Sequence, residues 1–482
     1  MVDTVPSAGL GARAARGAAW SAVSSLLLRL GGVVVGIVLA RILAPEQFGV
    51  FAIALTVQGV LMTLADLGLS ADLIRAENPE RIAPTIATLG LVSGGLLAAG
   101  TAATSAPLAA ALGSADAAPV IAVLSITLLL AGASVVPYGM LQRRFQQREL
   151  FLVAVVDFVV STAVTVVLVL AGAGVMGLAI GRVAAQAAGS AMLFALARVR
   201  PRFGIDRAHV GPVLAFGLPI AGANLLSWML LNVDNVVIAR TVGALGLGFY
   251  VLAFNVSGWP MSALSQVVRS VGMPYFSRDG SGRAFAAIIA LVCAAALPVG
   301  ALLAVLAAPL IQVVYGEKWM PAAPVLAALG VYGGLRVVFD AFAGFLYAHG
   351  RSRPVLWVQL LSLVVLTGAM IAVAPIGGIV GAAWMHVAVS AVIILPAYLV
   401  VLRAAGVSLR ELARALWLPI VGSIPAVGVA TIAVLALHDP LLQLIVGGVG
   451  AGVCHLLVLG PWLRARIRAL RSPAAPALAA SR

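Results

Sequence analysis

The sequence predicts an all-α polytopic membrane protein with fourteen transmembrane helices. Three observations predict it. First, the 482-residue chain is 62% hydrophobic and 10% charged, with mean hydropathy +1.13. Soluble domains carry about 25% charge and about 45–50% apolar residues. Second, the apolar residues fall into fourteen runs near the length of roughly 20 residues that a spanning helix needs. Third, basic residues alternate between successive loops, as they do when one set of loops faces a cytoplasm.

In order, the runs lie near 17–40, 47–70, 83–104, 118–141, 151–171, 175–197, 212–239, 244–268, 284–308, 322–348, 354–374, 379–402, 413–435 and 440–461. Charged or Pro/Gly-rich breaks separate them. With the N-terminus inside, cytoplasmic segments hold 24 of the 30 basic residues, and the opposite side holds only Arg41, Arg240 and Lys318. The last three, Arg29, Arg182 and Arg336, lie within runs. One missed helix would invert every loop downstream, so the alternation supports the count as well as the orientation: both termini are expected in the cytoplasm. The first run is long and carries Arg29, which reads as a retained helix and not as a cleaved signal peptide.

Several classes are excluded. No loop exceeds roughly fifteen residues, too few for a soluble catalytic domain. The net charge of +14 would suggest nucleic acid in a soluble protein, but here it follows the loops, so no nucleic-acid partner is expected. Cys293 and Cys454 both sit in apolar runs, which supports neither a disulfide framework nor a thiolate metal site. The single lysine, Lys318, follows Glu317 and belongs to no phosphate-binding loop. The five histidines form no zinc-binding pair on a helix, and His386 alone lies deep in a run, where packing or substrate contact suits it better than proton coupling. No cofactor, metal or catalytic residue is expected. Gly32 and Gly36, four apart, suit close helix packing.

A displacement of 199 residues aligns two segments. Ala40-Arg41 matches Ala239-Arg240, Phe48-Gly49-Val50-Phe51 matches Leu247-Gly248-Phe249-Tyr250, and Ala54 matches Ala253. Each copy is a helix, a short outer turn with one arginine, and a second helix. Six helices separate the copies, so they run in the same direction. This is a parallel repeat about an axis along the membrane normal, as in transporters built of two similar halves. The expected organisation is an N-terminal lobe of helices 1–6 over residues 1–197, a basic linker at 198–211, and a C-terminal lobe of helices 7–12 over 212–403. Two extra helices follow at 404–461, then a basic, Ala/Pro-rich tail at 462–482.

The stretches Gly17-Ala18-Ala19-Trp20, Ala40-Arg41-Ile42-Leu43-Ala44-Pro45-Glu46-Gln47-Phe48-Gly49-Val50-Phe51 and Leu64-Ala65-Asp66-Leu67-Gly68-Leu69 resemble polysaccharide flippases of the Wzx type. These are lipopolysaccharide and exopolysaccharide exporters, in the multidrug/oligosaccharidyl-lipid/polysaccharide superfamily that also holds lipid II flippases and MATE drug antiporters. The resemblance is strongest over 15–85 and 212–278. It implies a plasma-membrane protein that flips a polyprenyl-diphosphate-linked oligosaccharide outward by alternating access. It further implies contact with membrane lipids, a monomer, and cooperation with a polysaccharide polymerase and chain-length machinery. Two other readings stay open: a MATE-like cation-coupled drug antiporter and, further off, a membrane-embedded glycosyltransferase.

The candidate site residues are polar groups inside apolar runs: Arg29, Asp66, Asp157, Arg182, Asp234, Arg336 and Asp340. A charge at the bilayer centre costs roughly 2.5–3.5 kcal/mol on insertion scales, so these must pair or face water. Arg29, Arg182 and Arg336 lie at midplane depth. An arginine fork suits a diphosphate because it donates two parallel hydrogen bonds and stays charged when buried. The resemblance therefore assigns Arg29, Arg336 and Arg182 to the diphosphate. Gln58, Asp66, Asn232, Asp234, Asn235 and Asp340 are expected to line the path or couple transport. Asp340, one turn from Arg336, would hold it in place.

Overall fold

The computed structural model of the chain describes residues 28–200, 202–278 and 282–471. The start of the first predicted helix, with Gly17–Trp20, lies outside the described residues, as do both termini. The described residues are helical almost throughout and include no strand. Twelve of their segments are long and apolar enough to cross a membrane. One of these, Ser352–Ala404, contains two of the predicted runs.

By internal packing the chain forms two compact units, Met1–Gly248 and Phe249–Arg482. The first opens with α1 (residues 28–42). Then come α2 (Pro45–Asp66), α3 (Leu69–Arg75), α4 (Pro79–Ala103), α5 (Ser105–Ala111), α6 (Ala117–Arg143), α7 (Gln147–Leu170) and α8 (Gly174–Ala197). Helix α9 (Arg207–Arg278) carries the chain out of this unit. The second unit holds α10 (Gly282–Val305), α11 (Ala307–Val314), a 3-10 turn (Glu317–Ala322) and α12 (Ala323–Ala348). It ends with α13 (Ser352–Val389), a π-helical turn (Ser390–Ile394), α14 (Leu395–Ala404), α15 (Leu409–Ala436) and α16 (Pro440–Arg471).

The breaks have local causes. Helix α2 begins on Pro45, whose missing N–H costs nothing in the first turn. The predicted run 47–70 is two helices, because Leu67 (φ 46°) and Gly68 (φ 67°) are both left-handed and end the first. Helix α9 breaks at Gly243 (φ 89°, ψ 178°) and α13 at Gly378 (φ 58°, ψ −154°), between the runs that the sequence separates there. These backbone conformations favour glycine. Helix α9 then runs on to Arg278, ten residues past the predicted end at 268, and α16 runs on to Arg471 through the start of the predicted tail.

Each unit contains the same packing device. In the first, α4 lies against α6 at glycines: a Cβ on Gly94 would meet the Leu128 carbonyl oxygen at 2.5 Å and Gly132 Cα at 3.2 Å. In the second, α10 lies against α12 in the same way: a Cβ on Gly300 would meet the Gly330 oxygen at 2.6 Å and Gly334 Cα at 3.4 Å. Small residues let helix backbones approach where lipid offers no hydrophobic drive. A short helix follows the first member of each pair, α5 and α11. The helix ends repeat too. Arg144 donates from Nη1 to the Ala197 carbonyl that ends α8, at 3.0 Å, and Arg351 donates to the Ala404 carbonyl that ends α14, at 2.9 Å. Both bonds span 53 residues. A cation at a C-terminus satisfies an orphan carbonyl and complements the helix dipole.

Arginines close other ends in the first unit. Arg143 donates to the Ile74 carbonyl at 2.7 Å and to the Ala76 carbonyl. Arg240 donates to Ala111 at the end of α5, at 2.7 Å. Arg75 pairs with the nearly buried Asp72 at 2.8 Å and lies 3.6 Å from the centre of the Phe216 ring. The connection from α8 to α9 is pinned along α4. Gly204 N–H donates to Thr88 Oγ1 at 2.9 Å, and Asp206 N–H to Thr85 Oγ1 at 3.1 Å. Asp206 caps α9 by accepting from Ala208 N–H at 3.1 Å and lies 2.8 Å from His209 Nδ1. The Ala208 bond first, then His209, hold its carboxyl below the ordinary range.

Candidate functional site

A cavity in the first unit has a volume of about 920 Å³. That is within the range of roughly 300–1,000 Å³ typical of ligand sites. Helix α1 contributes Leu28, Gly32 and Val35, spaced i, i+4 and i+7, so one helical face borders it. Leu39, Phe51, Leu55, Val153 and Leu178 extend the apolar wall. Against that wall stands a polar group from four helices: Gln58 of α2, Tyr138 and Gln142 of α6, Asp157 of α7 and Arg182 of α8.

The contacts within the group are specific. Arg182 Nη1 lies 3.4 Å from Asp157 Oδ2. The pair keeps 40% and 32% of its side-chain surface exposed, so each charge faces the cavity as well as its partner. A pair so open to a hydrated cavity contributes about 1 kcal/mol or less, and its charges remain available to a ligand. Gln58 is buried and donates from Nε2 to Thr127 Oγ1 at 2.6 Å, and Thr127 in turn donates to the Leu124 carbonyl at 2.6 Å. Gln142 donates to the Tyr138 hydroxyl at 2.6 Å. An adjoining cavity of about 200 Å³ shares Tyr138 and adds Asp66 and Gln186. Asp66 accepts a hydrogen bond from the Ser70 hydroxyl at 3.0 Å.

The structure thus brings Gln58 of α2 and Arg182 of α8 to one cavity, with Asp66, at the end of α2, in the cavity beside it. Arg29 is exposed on α1 beside Leu28 and is not among the lining residues. Asn232, Asp234 and Asn235 lie on α9 and are not among the lining residues of this cavity. Asp234 is buried and accepts from Asn235 N–H at 2.9 Å, and Asn232 Nδ2 donates to the Trp228 carbonyl at 3.0 Å.

In the second unit, Arg336 and Asp340 line one cavity of about 80 Å³ with Ser257, Ser262, Ser265 and Tyr332. Their one-turn spacing puts both on its wall. His386 is buried, its ring 4.8 Å from that of Tyr332 and its Nδ1 3.3 Å from the Ala382 carbonyl.

Sequence reading overlooked Tyr138, Gln142 and the hydroxyls of α7. The signal was present: Asp157, Ser161 and Thr165 recur at i, i+4 and i+8 and all three line the large cavity.

Comparison with known proteins places this arrangement. Residues 38–324 match the family model described as "Polysaccharide biosynthesis protein". The chain is 28% identical over 339 residues to the succinoglycan biosynthesis transport protein ExoT of Rhizobium meliloti (strain 1021), covering 69% of each chain. It is 26% identical over 434 residues to the lipopolysaccharide biosynthesis protein WzxC of Escherichia coli (strain K12), covering 86% of each. Among solved structures, the lipid II flippase MurJ in an inward closed conformation superposes with a TM-score of 0.75 at 12% identity, covering 92% of this chain and 99% of that one. An inward-facing multidrug resistance MATE family transporter superposes with a TM-score of 0.59 at 17% identity, covering 79% and 95%. The fold is therefore the one shared by these transporters, and the chain, matched over more than half its length, belongs to the polysaccharide biosynthesis protein family.

Proposed function

We propose that this protein flips a polyprenyl-diphosphate-linked oligosaccharide outward across the plasma membrane for polysaccharide export, by alternating access. The observation that carries the proposal is the polar group of Gln58, Asp157 and Arg182 set against the apolar wall of a 920 Å³ cavity. Sugar and diphosphate cannot cross hydrocarbon unaided. They need a polar, hydrated enclosure in which phosphate meets a fixed cation. We assign Arg182, Arg336 and Arg29 to the diphosphate, with Asp340 positioning Arg336. Gln58, Asp66, Asn232, Asp234 and Asn235 line the path or couple transport. The chain crosses the membrane fourteen times with both termini cytoplasmic, and acts as a non-enzymatic transporter beside polymerase and chain-length machinery. A cationic drug would instead favour an acid left free for it, whereas Asp157 is engaged by Arg182.

The test is export of lipid-linked sugar in cells carrying Arg182→Ala, Arg182→Lys or Arg336→Ala at matched membrane levels. A charge-assisted bond is worth roughly 1.5–3 kcal/mol, so each alanine variant should lose about tenfold to over a hundredfold in export. The lysine variant, which keeps the charge and loses the fork, should retain part. Normal export by both alanine variants sinks the assignment.

A further inference from the structure

The first unit holds a further cavity, of about 440 Å³, whose lining includes no member of the polar group just described. It lies where the connection after α8 passes over α4, α6 and α8. Four arginines line it: Arg144, Arg198, Arg200 and Arg202. Glu80 is the only acid among its lining residues. The remaining wall is apolar and includes Ala87 of α4, Ala133 and Val136 of α6, and Phe194 of α8.

The two kinds of wall are segregated by depth. Arg144 stands at the end of α6, and Ala133 is eleven residues further in, about 16 Å at a helix rise of about 1.5 Å per residue. On α4, Glu80 is at the entrance and Ala87 is about 10 Å deeper. The basic groups therefore border the mouth and the small apolar residues border the depth. An amphiphile with an anionic head and a hydrocarbon body has that polarity. A soluble anion would leave the deep wall bare.

Internal symmetry separates these arginines from the structural ones. Arg144 and Arg351 occupy equivalent places and close equivalent helix ends. The connection after α14, from Ala405 to Ser408, carries no arginine, whereas the one after α8 carries Arg198, Arg200 and Arg202. Closing the helix thus requires one arginine per unit, and the additional three belong to the first unit alone. That connection is also held in position by Thr85 and Thr88. The strap is thus tied to α4 just beyond Arg202, at Gly204 and Asp206.

We infer that this cavity binds one anionic glycerophospholipid of the cytoplasmic leaflet, with its phosphodiester at Arg200 and Arg202 and an acyl chain against Ala87, Ala133 and Phe194. The inference takes the arginine-rich side as cytoplasmic and is independent of the transported substrate. Basic recesses between membrane helices on that side suit anionic head groups, each nearby cation adding to the attraction.

The experiment uses the full-length purified protein in nanodiscs of phosphatidylcholine containing trace fluorescent phosphatidylglycerol, with native mass spectrometry to count retained lipids. The expected result is one retained phosphatidylglycerol, displaced by unlabelled phosphatidylglycerol and not by phosphatidylcholine. Arg200→Gln/Arg202→Gln should weaken retention at least tenfold. Ala133→Phe should weaken it by filling the groove. The control Arg464→Gln/Arg466→Gln, at the far end of the chain, should leave it unchanged. Size-exclusion and thermal profiles matching the parent identify folded variants, and the arginine pair, on an exposed strap, decides the matter where Ala133→Phe fails to fold. Equal retention of phosphatidylcholine, or full retention by the arginine variant, overturns the inference. So does displacement by inorganic pyrophosphate as effective as that by lipid, which would make it a soluble-anion site. Preferential displacement by polyprenyl phosphate would assign the cavity to the transported lipid and overturn the phospholipid reading. Because the readout is binding, loss of export in the Arg182 variants bears on the other proposal alone.

Discussion

Gly49 and Gly248, 199 residues apart in the chain, each press against the backbone that precedes the other. A Cβ on Gly49 would collide with the Ala244 carbonyl oxygen, and a Cβ on Gly248 with that of Pro45. Ala244 is the repeat counterpart of Pro45, so the contact is reciprocal: it is the same contact twice, related by the repeat. This is the self-complementary geometry expected where a two-fold axis passes between like elements. The two segments that the displacement aligns in the sequence meet at these glycines.

Alanine at either glycine must push the two backbones apart. The neighbour is main chain, which cannot rotate away, so each substitution should cost roughly 1–3 kcal/mol, as overpacking does. Once the first has opened the contact, the second meets less resistance. Gly49→Ala/Gly248→Ala should therefore cost clearly less than the sum of the singles. Thermal unfolding of the three purified variants checks this. Strict additivity would show that the two glycines do not share one contact.

If the turns at Arg41–Gln47 and Arg240–Gly246 part during transport, tying them together should stop it. Glu46 and Leu245 are repeat counterparts, both exposed. Cysteines there, with Cys293 and Cys454 replaced by alanine, should be joined by a flexible bismaleimide. Export should halt in the joined protein and persist in each single-cysteine control. Full export with the link in place removes this contact from the transport cycle.

Topology has its own check. Cysteines at Ala115 and His438 should react with an impermeant thiol reagent in intact cells, and cysteines at Gln147 and Ser352 should not. All four positions are exposed. These positions avoid Arg144 and Arg351, whose helix-closing bonds a cysteine would remove. Labelling of the second pair would refute the fourteen-helix topology.

What the sequence reveals and conceals follows from the range of the forces involved. Helices were legible because hydropathy is a local property. The breaks at Gly243 and Gly378 were legible because glycine punctuates apolar runs. The break at Leu67 and Gly68 was not, since Leu67 is an ordinary helix former and its left-handed turn is set by where Gly68 crosses Gly217. The midplane depth of Arg182 could be counted along its run, but its pairing with Asp157 could not, because the two sit on different helices and the pair depends on their packing. In the sequence the strap is a basic linker. That Thr85 and Thr88 pin it to α4 depends on side chains more than a hundred residues away in the chain.

The Arg182–Asp157 pair allows the functional reading to be separated from a structural one. If the pair only neutralises two charges within the helices, exchanging them should preserve it: Arg182→Asp/Asp157→Arg would restore both abundance and export. If Arg182 also binds the diphosphate, the exchange moves the guanidinium from α8 to α7. The pair then survives, while the phosphate contact loses its geometry. Removing one partner alone leaves a charge uncompensated, so Arg182→Ala and Asp157→Ala should each lower membrane abundance, though by less than for a fully buried pair because both side chains are partly exposed. The expected outcome is that the exchanged protein recovers abundance over either single variant, while its export per molecule stays at least tenfold below that of the parent. Recovery of both together would make Arg182 a structural cation and leave Arg336 and Arg29 to meet the phosphates.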